Sequence, residues 1–232
     1  MTSRFVKPAN ALKSGFMYVK SSFTRNPARP PKPLFISAEL TNHCNLKCPE
    51  CPSGSGTMTR PRGYMDIGLF HKITDELSQY LYGINLFFQG EPMMHPAFFS
   101  FLEKRGKYRL VVSTNGHFLS PDSAVRIVRS GLDKLIISLD GMDQDTYSAY
   151  RRNGNFAKVV NGIRNTALAK RKSMSNLKIE IQFLVNKKNE RQIRDIKRFS
   201  REVNASLKLK SMQILNACEI EKWLPSSLRS SR

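Results

Sequence analysis

Acidic residues are scarce: 18 Asp and Glu stand against 38 Lys and Arg, a formal net charge of +20 over 232 residues. None precedes Glu39, while Arg4, Lys7, Lys13, Lys20, Arg25, Arg29 and Lys32 all do. Such a charge attracts nucleic acid or acidic partners, and a solvated basic surface accounts for it equally well. Long hydrophobic runs are missing too. The longest near the start is Phe16-Met17-Tyr18-Val19, which is no signal peptide, and no run anywhere is long enough to span a bilayer. Cysteine is rare, four in all, and with no export signal this points to a reducing cytoplasm rather than a disulfide-stapled secreted fold. The four histidines, His43, His71, His95 and His117, are scattered and read as structural or surface residues. No Ser/His/Asp array or pair of carboxylates suggests acid–base catalysis. The remainder, 40% hydrophobic and 9% aromatic, is ordinary for a chain that buries one sizeable core.

Three of the four cysteines crowd into Cys44-Asn45-Leu46-Lys47-Cys48-Pro49-Glu50-Cys51, spaced Cys-x3-Cys-x2-Cys; the other is Cys218. Leu34 to Leu40 just upstream reads as a strand, so the cysteines lie on the loop leaving it. Three close thiolates suit a soft metal centre, zinc or an iron–sulfur cluster. Zinc would need a fourth ligand, His43 or Cys218. A 4Fe–4S cluster on three cysteines would leave one iron open to a ligand that is not protein. Glu50 reads as a neighbour of the centre or as a solvated residue.

The rest of the chain alternates strand and helix. Met1 to Pro33 reads as a basic arm, with a helix around Asn10 to Phe23 and an extended linker at Pro27, Pro30, Pro31 and Pro33. Asp66 caps a helix carrying Ile67, Phe70, Ile73, Leu77 and Leu81. Further strands are expected at Ile84–Phe88, Arg109–Ser113, Lys134–Leu139, Leu177–Val185 and Leu207–Ile214. Between them fall a helix near Pro96 to Lys104, one opened by Ser120-Pro121 and ended by Gly131, a long one with Phe156, Val159, Val160 and Ile163 inward, and one capped by Asn189. Six strands separated by helices imply an α/β fold with a parallel sheet, a partial (β/α)6 barrel of TIM type. The core is expected over residues 34–215, with 216–232 as a tail. In such folds the chemistry gathers at the C-terminal strand ends. Here those ends carry the cysteines, Gln89-Gly90-Glu91-Pro92, Ser113-Thr114-Asn115-Gly116, Ser138-Leu139-Asp140-Gly141 and Asn186-Lys187-Lys188-Asn189.

Cys44-x3-Cys48-x2-Cys51 resembles the cluster motif of the radical S-adenosylmethionine (radical SAM) enzymes, and the later strand ends resemble that family's further motifs. The resemblance covers Leu34 to about Ile214. It implies a 4Fe–4S cluster on Cys44, Cys48 and Cys51 and SAM chelated by the open iron. It implies that Gly90, Glu91 and Pro92 meet the SAM amino group, with Gln89 where the family has glycine. By the same resemblance Asn115, Ser138 and Asp140 lie near SAM, and Met212 and Gln213 line its adenine. Reductive cleavage of SAM would yield a 5′-deoxyadenosyl radical that abstracts hydrogen from a substrate, with flavodoxin or ferredoxin as electron donor. Arg62 to Asp66, Lys210 to Ile214 and Glu221 to Pro225 resemble members with a C-terminal cysteine-rich SPASM extension, of which this sequence holds only Cys218. That likeness implies a peptide or small-molecule substrate. An RNA-modifying role, motivated by the charge, and a truncated remnant that binds metal without turnover are the competing expectations.

Overall fold

Short apolar runs that end in small or polar turns, each followed by helix-forming sequence, force successive strands to lie parallel. The computed structural model of the chain describes residues 5–104 and 106–226. Its strands are β1 (Phe35–Ser37), β2 (Gly83–Asn85), β3 (Arg109–Thr114), β4 (Lys134–Ser138), β5 (Lys178–Val185) and β6 (Ser206–Ser211). They form one sheet in sequence order, every neighbouring pair parallel. The helices are α1 (Val6–Thr24), α2 (Pro52–Ser55), α3 (Ile67–Leu77), α4 (Phe98–Glu103), α5 (Pro121–Arg129), α6 (Gln144–Tyr150), α7 (Phe156–Lys172), α8 (Ile193–Glu202) and α9 (Ile220–Trp223). None is long and apolar enough to cross a membrane.

Register sets the two faces of the sheet. Val112 lies opposite Leu135, Leu135 opposite Ile179, and Ile181 opposite Leu207. This row belongs to the main core with Phe70, Phe101, Ile127, Val159 and Ile196 from the helices. Each such side chain, fully buried, contributes about 1.5–3 kcal/mol relative to exposure. Because side chains alternate along a strand, Lys134, Glu180, Gln182 and Lys208 face the other way. Lys134 Nζ donates to Glu180 Oε2 at 2.7 Å, and Gln182 Nε2 donates to Glu180 Oε1 at 3.0 Å. The second face is therefore polar and cationic, with Arg109, Lys178, Lys208 and Lys210 exposed on it.

Two of the three expected caps form. Asp66 accepts from Leu69 N, and Ser120 accepts from Ser123 N with Pro121 at the first helical position. Asp143, unforeseen, caps α6 through Thr146 N. Asn189 caps no helix: a 3-10 turn, Glu190–Gln192, precedes α8, and the buried Asn189 amide donates to Asp140 O and Leu184 O instead. The long helix expected after β4 forms as α7, and a further short helix, α6, precedes it, the two parted at Asn153 (φ 63°) and Gly154. Strand β1 is shorter than expected because Leu40 O accepts from Met65 N and Thr41 bridges Tyr64 antiparallel, outside the sheet. β2 pairs over Gly83–Asn85 rather than from Ile84 to Phe88, β6 stops at Ser211 rather than Ile214, and α1 starts at Val6 rather than Asn10.

Candidate functional site

The loop after β1 is built to hold its cysteines together. Lys47 N donates to Arg152 O at 3.0 Å, tying the loop to the segment after α6. Gly54 N and Ser55 N donate to Cys51 O, so α2 starts directly on that cysteine. A Cβ on Gly54 would lie 2.5 Å from Cys48 N, so only glycine lets α2 fold back so tightly. Cys48 is buried, and Cys44 and Cys51 are half-buried. All three pack in a second apolar cluster with Leu46, Tyr150, Trp223, Leu184, Met212 and Ile214. Cys218 is exposed and outside it.

Among the described residues no three His, Cys, Asp or Glu side chains converge as a single metal ion requires. Zinc needs its donors about 2.0–2.3 Å from one point, and His43, its other possible fourth ligand, stacks on Tyr64 instead. A cluster takes each thiolate on a different iron, so three cysteines that share one pocket without converging fit it better. N–H donors are aimed at the sulfurs. Leu46 N lies 3.4 Å from Cys44 Sγ, Asn115 Nδ2 lies 3.9 Å from it, and Arg151 Nη1 lies 3.9 Å from Cys48 Sγ. Such donors stabilise a ligating thiolate and tune the potential of the group it binds. Without a cation, burial pushes Cys44 up to about 11 and also raises Cys48, so these two thiols stay protonated.

The other strand ends converge on this loop. Glu91 is buried and accepts from Met93 N (3.1 Å), Thr114 Oγ1 (2.7 Å) and Asn115 N (2.6 Å), which links the turns after β2 and β3. Its own N–H donates to His43 O at 2.7 Å, one residue before Cys44. Pro92 starts a 3-10 turn through Met94. Gln89 Oε1 stands 3.7 Å from Cys51 Sγ and 3.4 Å from Ser53 Oγ. Ser138, at the end of β4, is half-buried on the polar face. Asp140 is fully buried, with Oδ1 accepting from Leu184 N (2.7 Å) and Oδ2 from Arg151 Nε (2.5 Å). Its carboxylate is thus engaged, and what it presents toward Cys48 is the Arg151 guanidinium. Burial alone would lower the Arg151 pKa, but Asp140 and Cys48 outweigh it and hold the guanidinium charged. Met212 packs with the cysteines, while Gln213 is exposed beside it.

Several contributors were not read from the sequence. Tyr147 is fully buried, and its hydroxyl has no partner among the described residues. Burial, against the pull of Arg151, raises its pKa, and Asp140, Cys48 and Glu91 all lie within electrostatic reach. An orphaned phenol amid these groups fits a pocket that takes a polar ligand. Arg151, Tyr147 and Tyr150 sit on or just after α6; the signal for that helix was Asp143-x-x-Thr146 followed by the Asn153-Gly154 break. Glu50 is neither solvated nor free: it is buried, and Oε2 accepts from Leu215 N (2.7 Å) and Asn216 N (3.3 Å). A cavity of about 430 Å³, lined by Pro49, Glu50, Arg152, Leu215 and Asn216 among others, flanks the loop there. A larger one, about 520 Å³, follows β1 along Ile36, Glu39, Thr41, Asn42, Arg60 and Tyr64 and holds none of the cysteines.

Residues 38–200 match the model of the radical SAM superfamily. Mycofactocin maturase MftC of Mycobacterium ulcerans (strain Agy99) is 31% identical over 180 residues, 76% of this chain and 47% of that protein. The chain spans about half the length of the curated relatives it matches. Streptococcus suis SuiB bound to S-adenosylmethionine superposes with a TM-score of 0.66 at 14% identity, over 88% of this chain and 45% of SuiB. SuiB bound to its precursor peptide SuiA superposes with a TM-score of 0.61 at 15% identity, over 82% and 41%. The likeness makes the six-stranded sheet the partial (β/α)6 barrel that the sequence implied.

Proposed function

The chain belongs to the radical SAM superfamily, and from that premise we propose that Cys44, Cys48 and Cys51 hold a 4Fe–4S cluster that binds SAM for hydrogen abstraction from a peptide. Bound there, cluster and SAM would supply reductive cleavage of the sulfonium and hydrogen-atom abstraction from the substrate, with the electron coming from a flavodoxin- or ferredoxin-type donor. The observation that carries the reading is the shared pocket of three cysteines with N–H donors from Leu46, Asn115 and Arg151 turned toward their sulfurs.

The chain's own residues then have definable tasks. Arg151, locked by Asp140, sets a fixed positive charge beside Cys48 that favours the reduced state. Glu91 holds the turns after β2 and β3 at the distance that Gly90 and Asn115 require, and any remaining acceptor capacity on it suits an ammonium group. Tyr147 offers a hydroxyl that has no partner among the described residues. Leu46, Tyr150, Met212 and Trp223 keep water from the thiols. A peptide substrate is supported by the maturase relative and by SuiB's complex with its precursor. The exposed Arg109, Lys178, Lys208 and Lys210 on the polar face suit a peptide that carries carboxylates.

Anaerobic reconstitution tests the proposal. The expected result is about four iron and four sulfide per chain, with 5′-deoxyadenosine formed from SAM after dithionite reduction. Cys44→Ala, Cys48→Ala or Cys51→Ala should each abolish both, and Cys218→Ala neither. Stoichiometric zinc without iron would overturn it.

A further inference from the structure

The N-terminal helix α1 is seated by one side only. Asn10 Nδ2 donates to Lys32 O at 2.8 Å, Lys7 Nζ donates to Lys107 O, and Ser14, Met17 and Ser21 face the linker segment from Ala28 to Leu34. The opposite side carries Leu12, Phe16, Val19 and Phe23. At about 100° per residue these four fall within a sector of roughly 60°, and Phe5 at the helix start extends the same line. They are not sheltered by anything described: Leu12 is 77% exposed, Phe16 67% and Phe23 85%. Scattered exposed apolar residues are normal, but an aligned stripe rich in phenylalanine marks a contact surface.

Charge identifies what the stripe meets. Lys13 and Lys20 flank it on one side, Arg25 and Arg29 follow the helix, and no acidic residue occurs before Glu39. An apolar stripe beside uncompensated basic residues matches the interfacial region of a bilayer with anionic headgroups, where aromatic side chains enter the acyl boundary and lysines meet phosphates. The helix is too polar to span, so it lies in the plane of the surface. We propose that α1 is a membrane-surface anchor that docks the protein on an anionic lipid bilayer through Leu12, Phe16, Val19 and Phe23, with Lys13 and Lys20 on the headgroups. The cysteine pocket takes no part in this contact, so the inference stands apart from the catalytic reading.

Flotation of the full chain with vesicles of phosphatidylcholine containing about a third phosphatidylglycerol tests it, with phosphatidylcholine alone as comparison. The protein should float with the anionic vesicles and far less with the neutral ones. Phe16→Ser with Phe23→Ser leaves the net charge unchanged and alters only exposed side chains, so folding should persist by circular dichroism. Partitioning should fall on the order of a hundredfold, while Phe16→Leu with Phe23→Leu should restore most of it. Lys13→Glu with Lys20→Glu should weaken binding to the anionic vesicles alone. Flotation unchanged by the serine pair would mean that net charge alone drives the contact, and would overturn the proposal. So would a failure to float accompanied by self-association that the serine pair abolishes, since the stripe would then meet a second copy.

Discussion

Tyr147 buries a hydroxyl that no described residue satisfies, although an unmet buried polar group costs about 1–3 kcal/mol. Two outcomes follow from one substitution. Tyr147→Phe should raise the stability of the metal-free protein by about 1 kcal/mol, read as a higher urea midpoint. The same variant should slow 5′-deoxyadenosine formation in the reconstituted protein, because the hydroxyl would then be missing from the pocket. An unchanged rate alongside raised stability would make the hydroxyl a packing accident. Glu91 supplies a pH dependence. Burial pushes it up to about 7 against the pull of Asn115 N, Thr114 Oγ1 and Met93 N. The folded value lies above the unfolded 4.5, so the folded chain keeps a proton that the unfolded chain has released. The stability tied to this group is therefore fully present below about pH 4.5 and lost as pH rises through about 7, roughly 3 kcal/mol in all. Urea midpoints near pH 5 and pH 8 should differ less in Glu91→Gln than in the wild type. Equal differences would show that Glu91 titrates at its ordinary value.

Among the elements, the turn after β2 depends on Gly90. Its φ is +74°, and a Cβ there would stand 2.4 Å from Thr41 O and 2.7 Å from His43 O. The turn after β2 thus presses backbone to backbone on the entry to the cysteine loop. Gly90→Ala should lower the melting temperature by at least about 4 °C and reduce iron uptake on reconstitution; a variant that melts and loads like the wild type would show that the turn can shift freely. A glycine there was legible, as were all six strands, because apolar runs such as Leu135-Ile136-Ile137 end in Gly, Asn or Asp within a few residues. Helix α6 was not. Phe156 to Ala167 repeats at helical spacing, whereas α6 has only 7 residues and its cap shows only when Thr146 is paired with Asp143. The role of Asn189 was misread for a related reason. Asparagine before a helix suggests a cap, but its amide donates instead to Asp140 O and Leu184 O, carbonyls at the neighbouring strand ends. The cysteines themselves needed no structure, since their spacing is local. Arg151 and Trp223 did, because only tertiary packing brings positions 151 and 223 to position 48.

Across the whole molecule, the segment after β6 returns to the loop after β1 and closes the site. Glu50 accepts from Leu215 N and Asn216 N, Lys187 N donates to Trp223 O at 3.0 Å, and Ser226 N donates to Glu190 Oε2 at 2.9 Å. Trp223 lands with 1% of its surface exposed, edge-on to Tyr150 at 5.5 Å between ring centroids and in one cluster with Leu46 and Cys48. The first and last strands of the sheet are not paired with each other, so this contact, rather than a strand ladder, joins the two ends at the cysteines. Removing so large a buried ring leaves a cavity, and Trp223→Ala should cost about 3–5 kcal/mol. The loss belongs to the cysteine pocket, so it should also appear there. The reconstituted variant should release iron in air several times faster than the wild type, while Trp223→Phe, which keeps an aromatic ring against Tyr150, should fall between the two. Because Trp223→Ala also weakens the fold, release should be compared with Leu102→Ala, a core substitution in α4 that is buried outside the cysteine cluster. If both variants lost iron equally fast at equal stability, Trp223 would matter only as bulk packing, and the return of the chain would not guard the site.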